Sequence, residues 1–409
     1  MTQYQITLDS EILQHIFTSD DGMAKLMEQV LNQVLNAQIT EQIQAEPYER
    51  TEERQAYRNG YRPRTMNTRV GTLVLQVPRL RSGQFSTQLF ERYQRSEQAL
   101  VLALMEMVVN GVSTRKVQRI TEELCGVDFS KSTVSALCKQ LDPAVNAWNE
   151  RPIKGGAYPF VLVDGVQIKV RTDSRVEPHS CLLAIGVNRD GFREILGLMI
   201  GDSESEASWS TFFEWLKKRG LSGVDLVVSD NHKGLVKAVQ RHFQGVLWQR
   251  CQVHFMRNIL DNCPKRYQDE LKTRLRPMFD AIDMPTARKL LSEIVTDFAG
   301  KAPKAIECLE NGFEDAMAVM AIPEHYRRRL RSTNMVERLN EEIRRRERVI
   351  RIFPNETSAL RLLGAVLMEH DEQWTTTHRY FNMDKYWEWK AEQEKAIQQE
   401  QADRQTKVA

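Results

Sequence analysis

The stretch from Ala157 to Val170, AYPFVLVDGVQIKV, decides the fold. Its apolar, β-branched content reads as strand, with a turn signal at Asp164-Gly165. Downstream, SCLLAIGV (180–187) and REILGLMI (193–200) read as two more strands, and Asn188-Arg189-Asp190-Gly191 between them is a hairpin signal. SEASWSTFFEWLKKRG (205–220) follows as a helix, with Trp209, Phe212, Phe213 and Leu216 on one side. Then come a buried-type strand, VDLVVSD (224–230), a helix, GLVKAVQRHF (234–243), and another strand, GVLWQRC (245–251). Three hairpin-linked strands followed by alternating helix and strand predict a mixed sheet of α/β type.

The flanks differ in character. Residues 256–330 read as almost all helix, through MRNILDNC, YQDELKTRLRPMF, TARKLLSEIVTDFAGK and AIECLENGFEDAMAVM, and so as a helical insertion. Another helix is expected from about Asn334 to Arg348, and a further apolar one in ETSALRLLGAVLMEHDEQW. From Ala391 the chain is polar, as in a solvated helix. On the other side, residues 20–46 predict an amphipathic helix, with Met23, Met27, Val30, Leu31, Val34 and Leu35 at helical spacing. A polar segment follows, with a turn signal at Asn59-Gly60 and a short strand from Thr72 to Val77; it looks like a small basic module with little core of its own. Residues 97–141 carry three helical stretches, the second capped by Ser113, in helix-turn-helix order; an ordinary helical bundle fits the same pattern.

A chain of 409 residues exceeds one core, and several domains are expected. No apolar run approaches the roughly 20 residues that span a bilayer, and the first residues do not read as a secretory signal. The six scattered cysteines suggest reduced thiols in a cytosolic protein. Net charge is only +2, so charge distribution carries the information. Between Arg54 and Arg81 there are seven arginines and no acid, and between Arg327 and Arg351 ten arginines against four glutamates. Clustered arginine suits phosphate; the second cluster also fits a solvated face with acids at helical spacing. Arg58, Arg62, Arg64, Arg115, Lys116, Lys131, Ser132, Lys139, Arg338 and Arg345 are the candidate DNA contacts.

Asp164 and Asp230 each follow an apolar strand segment. Ligands gather at the carboxyl ends of strands in α/β sheets, and two carboxylates delivered there repel unless a divalent cation neutralises them. Either residue alone is equally a turn former or a helix cap. Glu337 is the third candidate, in STNMVERLNEEIRRR; Asn334 with Glu337 also resembles a capping box. Cys251 and His254 form a Cys-x-x-His pair, but His242 and Cys263 complete no familiar zinc spacing, so packing or hydrogen bonding is the simpler role. His232 is a candidate phosphate contact or an ordinary loop histidine.

Taken together, YRNGYRPRTMNTRVGTLVLQVPRLRSGQF, GVSTRKVQRITEEL with SKSTVS, FVLVDGVQIKVR, LVVSDNHKGLVKAV, WQRCQVHFMRNIL and STNMVERLNEEIRRR occur in an order that resembles the Mutator-type transposases of bacterial insertion sequences, the insertion-sequence-256 family, from about residue 20 to 390. The resemblance implies an RNase H-like mixed-sheet catalytic domain interrupted by an all-helical insertion and preceded by helical and helix-turn-helix DNA-binding regions. It implies divisions at 1–96 (DNA binding and dimerisation), 97–150 (helix-turn-helix), 151–260 and 326–375 (catalytic), 261–325 (insertion) and 376–409 (tail). It makes Asp164, Asp230 and Glu337 the catalytic acids and metal ligands, Cys251, His254 and Asn334 structural motif residues, and Arg338 a flanking residue. Implied too are two Mg²⁺ ions, for which Mn²⁺ can stand in, terminal inverted repeats and target DNA as partners, and a homodimer in the bacterial cytoplasm. A nuclease without strand transfer and a DNA-binding regulator remain the alternatives.

Overall fold

The computed structural model describes residues 4–408, apart from 9, 17, 20, 88, 91–93 and 155. The chain divides into two compact units, residues 1–140 and 141–409.

In the first unit, α1 (Ser10–His15) and α2 (Gly22–Ile43) precede a hairpin of β1 (Arg58–Thr68) and β2 (Gly71–Leu80). Leu73, Leu75 and Val77 alternate inward from β2 and pack with Leu35 of α2, Met66 and Phe90, so the basic segment does have a core, built jointly with the helix. Polar groups of α2 cover the edge of β2: Glu28 accepts from the Val74 amide at 2.9 Å, and Asn32 from the Gln76 amide at 2.7 Å. Asn59-Gly60 is not a turn. Gly60, at φ +67°, lies where the β1–β2 register slips between Arg58 and Tyr61, so its positive φ serves a bulge. Three helices follow: α3 (Gln98–Val109), α4 (Thr114–Cys125) and α5 (Lys131–Cys138). Ser113 and Ser130 cap α4 and α5 by accepting from the amides three residues on. Each of the three packs on the other two.

The second unit begins with α6 (Asp142–Asn149), which packs on the sheet; Asn149 exchanges two hydrogen bonds with the Leu198 backbone. The expected boundary at residue 150 thus falls beyond the start of this unit. The sheet contains β3 (Phe160–Thr172), β4 (Arg175–Val187) and β5 (Arg193–Gly201), then α7 (Glu206–Lys218), β6 (Leu226–Ser229), α8 (Lys233–His242) and β7 (Leu247–Arg250). Strand order is β5-β4-β3-β6-β7, with β3, β4 and β5 antiparallel and β3, β6 and β7 parallel. Trp209, Phe212, Phe213 and Leu216 of α7 pack with α8 residues on Val161, Val163, Leu182, Ala184 and Val227.

After β7 come α9 (Gln252–Asp261), α10 (Lys265–Phe279), α11 (Met284–Phe298), α12 (Pro303–Met317) and α13 (Glu324–Leu330). Helices α9 to α12 share a core around Phe255, Leu271, Leu275, Phe298 and Phe313. The end of β7 is tied to the end of α12 by buried amides. Gln249 and Gln252 both donate to the Ala316 carbonyl, and Gln249 accepts from the Val319 amide. The chain then returns through α13 to α14 (Asn334–Ile350), α15 (Glu356–Thr376) and α16 (Asp384–Val408). The start of the expected tail is no appendage: Phe381 and Tyr386 are buried against Phe160 and Tyr326.

Trp209 is fully buried at the centre of the α7–sheet interface. Trp209→Ala should lower the stability of the second unit by about 3–5 kcal/mol. A urea midpoint unchanged from the wild type would show that this face is not what holds the sheet.

Candidate active site

Asp164 does not turn the chain. Strand β3 continues eight residues past it, and Asp164 pairs with Leu183 of β4 in an unbroken antiparallel register. The parallel partner β6 is short and pairs with β3 only from Phe160↔Leu226 to Leu162↔Val228. Continued by two residues, that register sets Asp164 level with Asp230, the residue after β6. Asp164 is therefore mid-strand on one side and at a strand end on the other. Gly165 permits a close approach here, since a Cβ in its place would lie 2.8 Å from Glu204.

The Asp164 carboxylate is only 9% exposed. Its Oδ1 accepts from the Gly165 amide at 2.9 Å and its Oδ2 from the Asn340 side chain at 2.7 Å. Burial, and then the charge of Asp230, push its pKa up to about 7, while the Gly165 amide and His254 oppose the rise. Asp230 is partly buried, accepts from the His232 amide at 3.2 Å, and follows Ser229, whose hydroxyl takes a hydrogen bond from Trp248. Glu204, on the loop before α7, is a further carboxylate of this neighbourhood that the sequence reading missed. Burial raises its pKa; His232 lowers it, and Asp230 adds to the rise.

Glu337 reaches the site from α14. Its Oε1 lies 3.3 Å from His254 Nε2, within ion-pair reach but not aligned as a hydrogen bond. Cys251 caps the sheet side of the same cluster: its sulfur accepts from the Thr333 amide at 3.4 Å and the Thr333 hydroxyl at 3.3 Å. The ligating atoms of Cys251, His254 and Glu337 all lie within 4.8 Å of one another. Interaction with Cys251 raises the His254 pKa to about 9 against the effect of burial, with Glu337 and Asp164 adding to it. Burial opposes ionisation of Cys251, but hydrogen bonds with His254 and Thr333 outweigh it and lower its pKa. Cys251 and His254 thus each favour the charged form of the other beside the third acid.

The capping-box reading of Asn334 and Glu337 does not hold. Thr333 occupies the N-cap, its hydroxyl is given to Cys251, and Asn334 is an exposed first-turn residue. A second residue of α14 that touches the site is Asn340, three positions on from Glu337 and 7% exposed. Its Oδ1 and the Glu337 Oε1 are buried acceptors without hydrogen-bond partners. An i, i+3 spacing in NMVERLN was the available signal for Asn340, but only packing shows which strand it faces.

The other candidates are dispersed. In the first unit, Arg62, Arg115, Lys116, Lys131, Ser132 and Lys139 are exposed. Arg58 is committed to Thr40 and the Ala45 carbonyl, and Arg64 stacks on Phe90 and donates to Gln94. In the second, Arg338 and Arg345 are exposed, with Arg345 3.8 Å from Glu342.

A model of the transposases of the Mutator family matches residues 1–377. This chain belongs to the Mutator family of transposases. It is 50% identical over 391 residues to the transposase for insertion sequence element IS256 in transposon Tn4001 of Staphylococcus aureus, covering 94% of this chain and 100% of that one. It is 46% identical over 321 residues to the transposase for insertion sequence element ISRM5 of Rhizobium meliloti, covering 78% and 80%. It is 38% identical over 324 residues to the transposase for insertion sequence element IS1081 of Mycobacterium tuberculosis, covering 79% and 78%. The motif-level resemblance is thereby established: the transposase is an enzyme of DNA transposition, of the insertion-sequence-256 kind, and a DNA-binding protein. Among its described residues, no helix is long and apolar enough to cross a membrane.

The raised Asp164 pKa has a consequence for the transposase's stability. Between the ordinary carboxylate range and about pH 7, the native state keeps a proton that the unfolded chain has lost, so stability falls as pH rises through that window. Asp164→Asn removes this slope. Without divalent ions, the variant should gain roughly 1–4 kcal/mol over the wild type at about pH 8 and little at about pH 4. Equal urea midpoints for the two proteins at both pH values would contradict the assignment.

Proposed function

We propose that Asp164, Asp230 and Glu337 are the catalytic acids of this transposase, on an RNase H-like scaffold interrupted by helices α9 to α13. The observation that carries the reading is the convergence on Asp164: Asp230 acts on it from just past β6, His254 from α9, and Asn340 of the Glu337-bearing helix bonds it directly. The order of three antiparallel strands followed by two parallel ones supports the scaffold. Hard carboxylate oxygens are the donor set that Mg²⁺ takes, or Mn²⁺ in its place. Glu337 Oε1 and Asn340 Oδ1, buried acceptors that take no hydrogen bond, suit coordination of a cation or its water shell. Asp164, Asp230 and Glu337 would hold two such ions, which when bound supply Lewis-acid chemistry at a phosphodiester.

The chain's own groups then have defined tasks. Asn340 fixes the Asp164 rotamer, and the Cys251–His254 pair holds Glu337 against α9. In the proposed reaction, water breaks a phosphodiester at an element end and leaves a 3′-hydroxyl. That oxygen attacks a target phosphodiester, forming one P–O bond as another breaks, so no covalent protein–DNA species is needed. The first unit, with its basic hairpin and three-helix cluster, would recognise the terminal inverted repeats through residues such as Arg62, Arg115, Lys116, Lys131, Ser132 and Lys139. Two ends processed together call for a homodimer, and the bacterial cytoplasm is the expected compartment.

Asp230→Asn should cut strand cleavage and joining on the order of 10³-fold or more while leaving binding to element ends within about twofold. Turnover of labelled end-containing DNA at the wild-type rate would refute the assignment. A second measurement is independent of turnover. Mg²⁺ should raise the thermal midpoint of the wild type but not of Asp164→Asn, and an equal rise in both would remove Asp164 from the cation site.

A further inference from the structure

Three arginines of the second unit gather beside α14 without acidic partners. Arg193 opens β5, Arg329 lies on α13, and Arg338 follows Glu337 directly. Arg193 lies over the rings of Trp374 at 4.4 Å and Tyr380 at 4.8 Å, and its Nε is buried without a hydrogen-bond partner. Arg329 also lies over the Tyr380 ring, at 4.8 Å, and donates to the Tyr380 carbonyl. Nearby acids are engaged elsewhere. Glu194 accepts from Tyr158 and Asn188, and Asp371 from Arg151, Trp148 and the Ile195 amide. None of the three arginines forms an ion pair among the described residues.

Such an arrangement costs free energy in the isolated protein. Burial lowers the Arg193 proton affinity, Tyr380 opposes this, and Arg329 and Arg338 add to it as like charges. Guanidinium planes resting on aromatic faces are already ordered, so less rotamer freedom is lost when they take a ligand. The backbone also fixes the platform. Gly191, at φ +86° in the β4–β5 turn, accepts from the Tyr380 and Phe381 amides, and a Cβ there would meet the Phe381 carbonyl at 2.0 Å. A polyanion with regularly spaced charges is the neutraliser that fits three guanidiniums on a fixed support.

We propose that Arg193, Arg329 and Arg338, carried on Tyr380 and Trp374, bind successive phosphates of a DNA strand and lead it toward Glu337. The proposal rests on the catalytic reading only for its direction, since Arg338 adjoins Glu337 in the chain. The contact itself is sequence-independent, because phosphates position a strand without specifying it. Arg379, exposed beside Tyr380, extends the same basic edge.

The test is DNA binding by the full-length protein in a chelator, with labelled duplexes of generic and of element-end sequence, across a salt series. Each phosphate contact contributes about 0.9 to the slope of log K against log salt. The double variant Arg193→Gln, Arg329→Gln should flatten that slope by roughly 2 and weaken binding tenfold or more at low salt, equally on both duplexes. Asp230→Asn should keep the wild-type slope, so loss of the catalytic reading and loss of this one are separable. If circular dichroism shows the double variant unfolded, the exposed single variant Arg329→Gln decides, with a slope smaller by roughly 1. Wild-type slope and affinity in a folded variant would overturn the proposal, and so would a loss confined to one duplex.

Discussion

A carboxylate buried in the middle of a sheet is the constraint around which this transposase is arranged. Asp164 sits where an antiparallel strand runs on and a parallel one stops, so its side chain leaves water without leaving the core. Beside a second aspartate, that position resists ionisation. A protein built for stability alone would place an apolar residue there, and Val161 and Val163 of the same strand show what that looks like. The groups that meet Asp164 each answer part of the penalty: an amide, the Asn340 side chain, and the field of His254.

The helices between β7 and α14 separate Cys251 and His254 from Glu337 in sequence and join them in space. Their core closes on itself, and the two buried glutamines bind the end of that excursion to the end of the strand before it. The Gln252 amide donates to the Arg331 carbonyl, and Thr333 bonds Cys251 on the next step. Position of the third acid is thus set by short contacts across the base of a long insertion rather than by the insertion's own length. Buried amide networks of this sort tolerate little displacement, because a half-satisfied partner costs more than an absent one.

Charge follows a different logic. Near-neutral overall, the chain balances some arginines against acids, as with Arg346 and Arg345 against Glu342 or Arg361 against Asp142, and gives Arg193, Arg329 and Arg338 no ion pair among the described residues. Paired arginines bind the protein to itself. Those on Tyr380 and Trp374 meet, among the described residues, ring faces and a carbonyl, which order them without cancelling their charge.

Much was legible in residues 157–251, because strand and helix periods are local and the β4–β5 turn announces itself in Asn188–Gly191. The helices on either side were readable for the same reason, and the family followed from motif order. Local signals misled where long-range pairing overrode them. Asp164-Gly165 continues β3 because β4 supplies a partner at every residue, Asn59-Gly60 became a bulge because β2 pairs with β1 on both sides of it, and Thr333 displaced Asn334 as cap because Cys251 sits beside it. Glu204 and Arg193 were invisible, and Asn340 carried only its helical spacing, since nothing in their neighbours along the chain tells which distant surface they meet. Sequence alone determined the elements and the family, through contacts a few residues long. Tertiary structure decided which carboxylates are buried together and which arginines stand unpaired, because desolvation and charge depend on every segment that packs nearby, however far away in the chain.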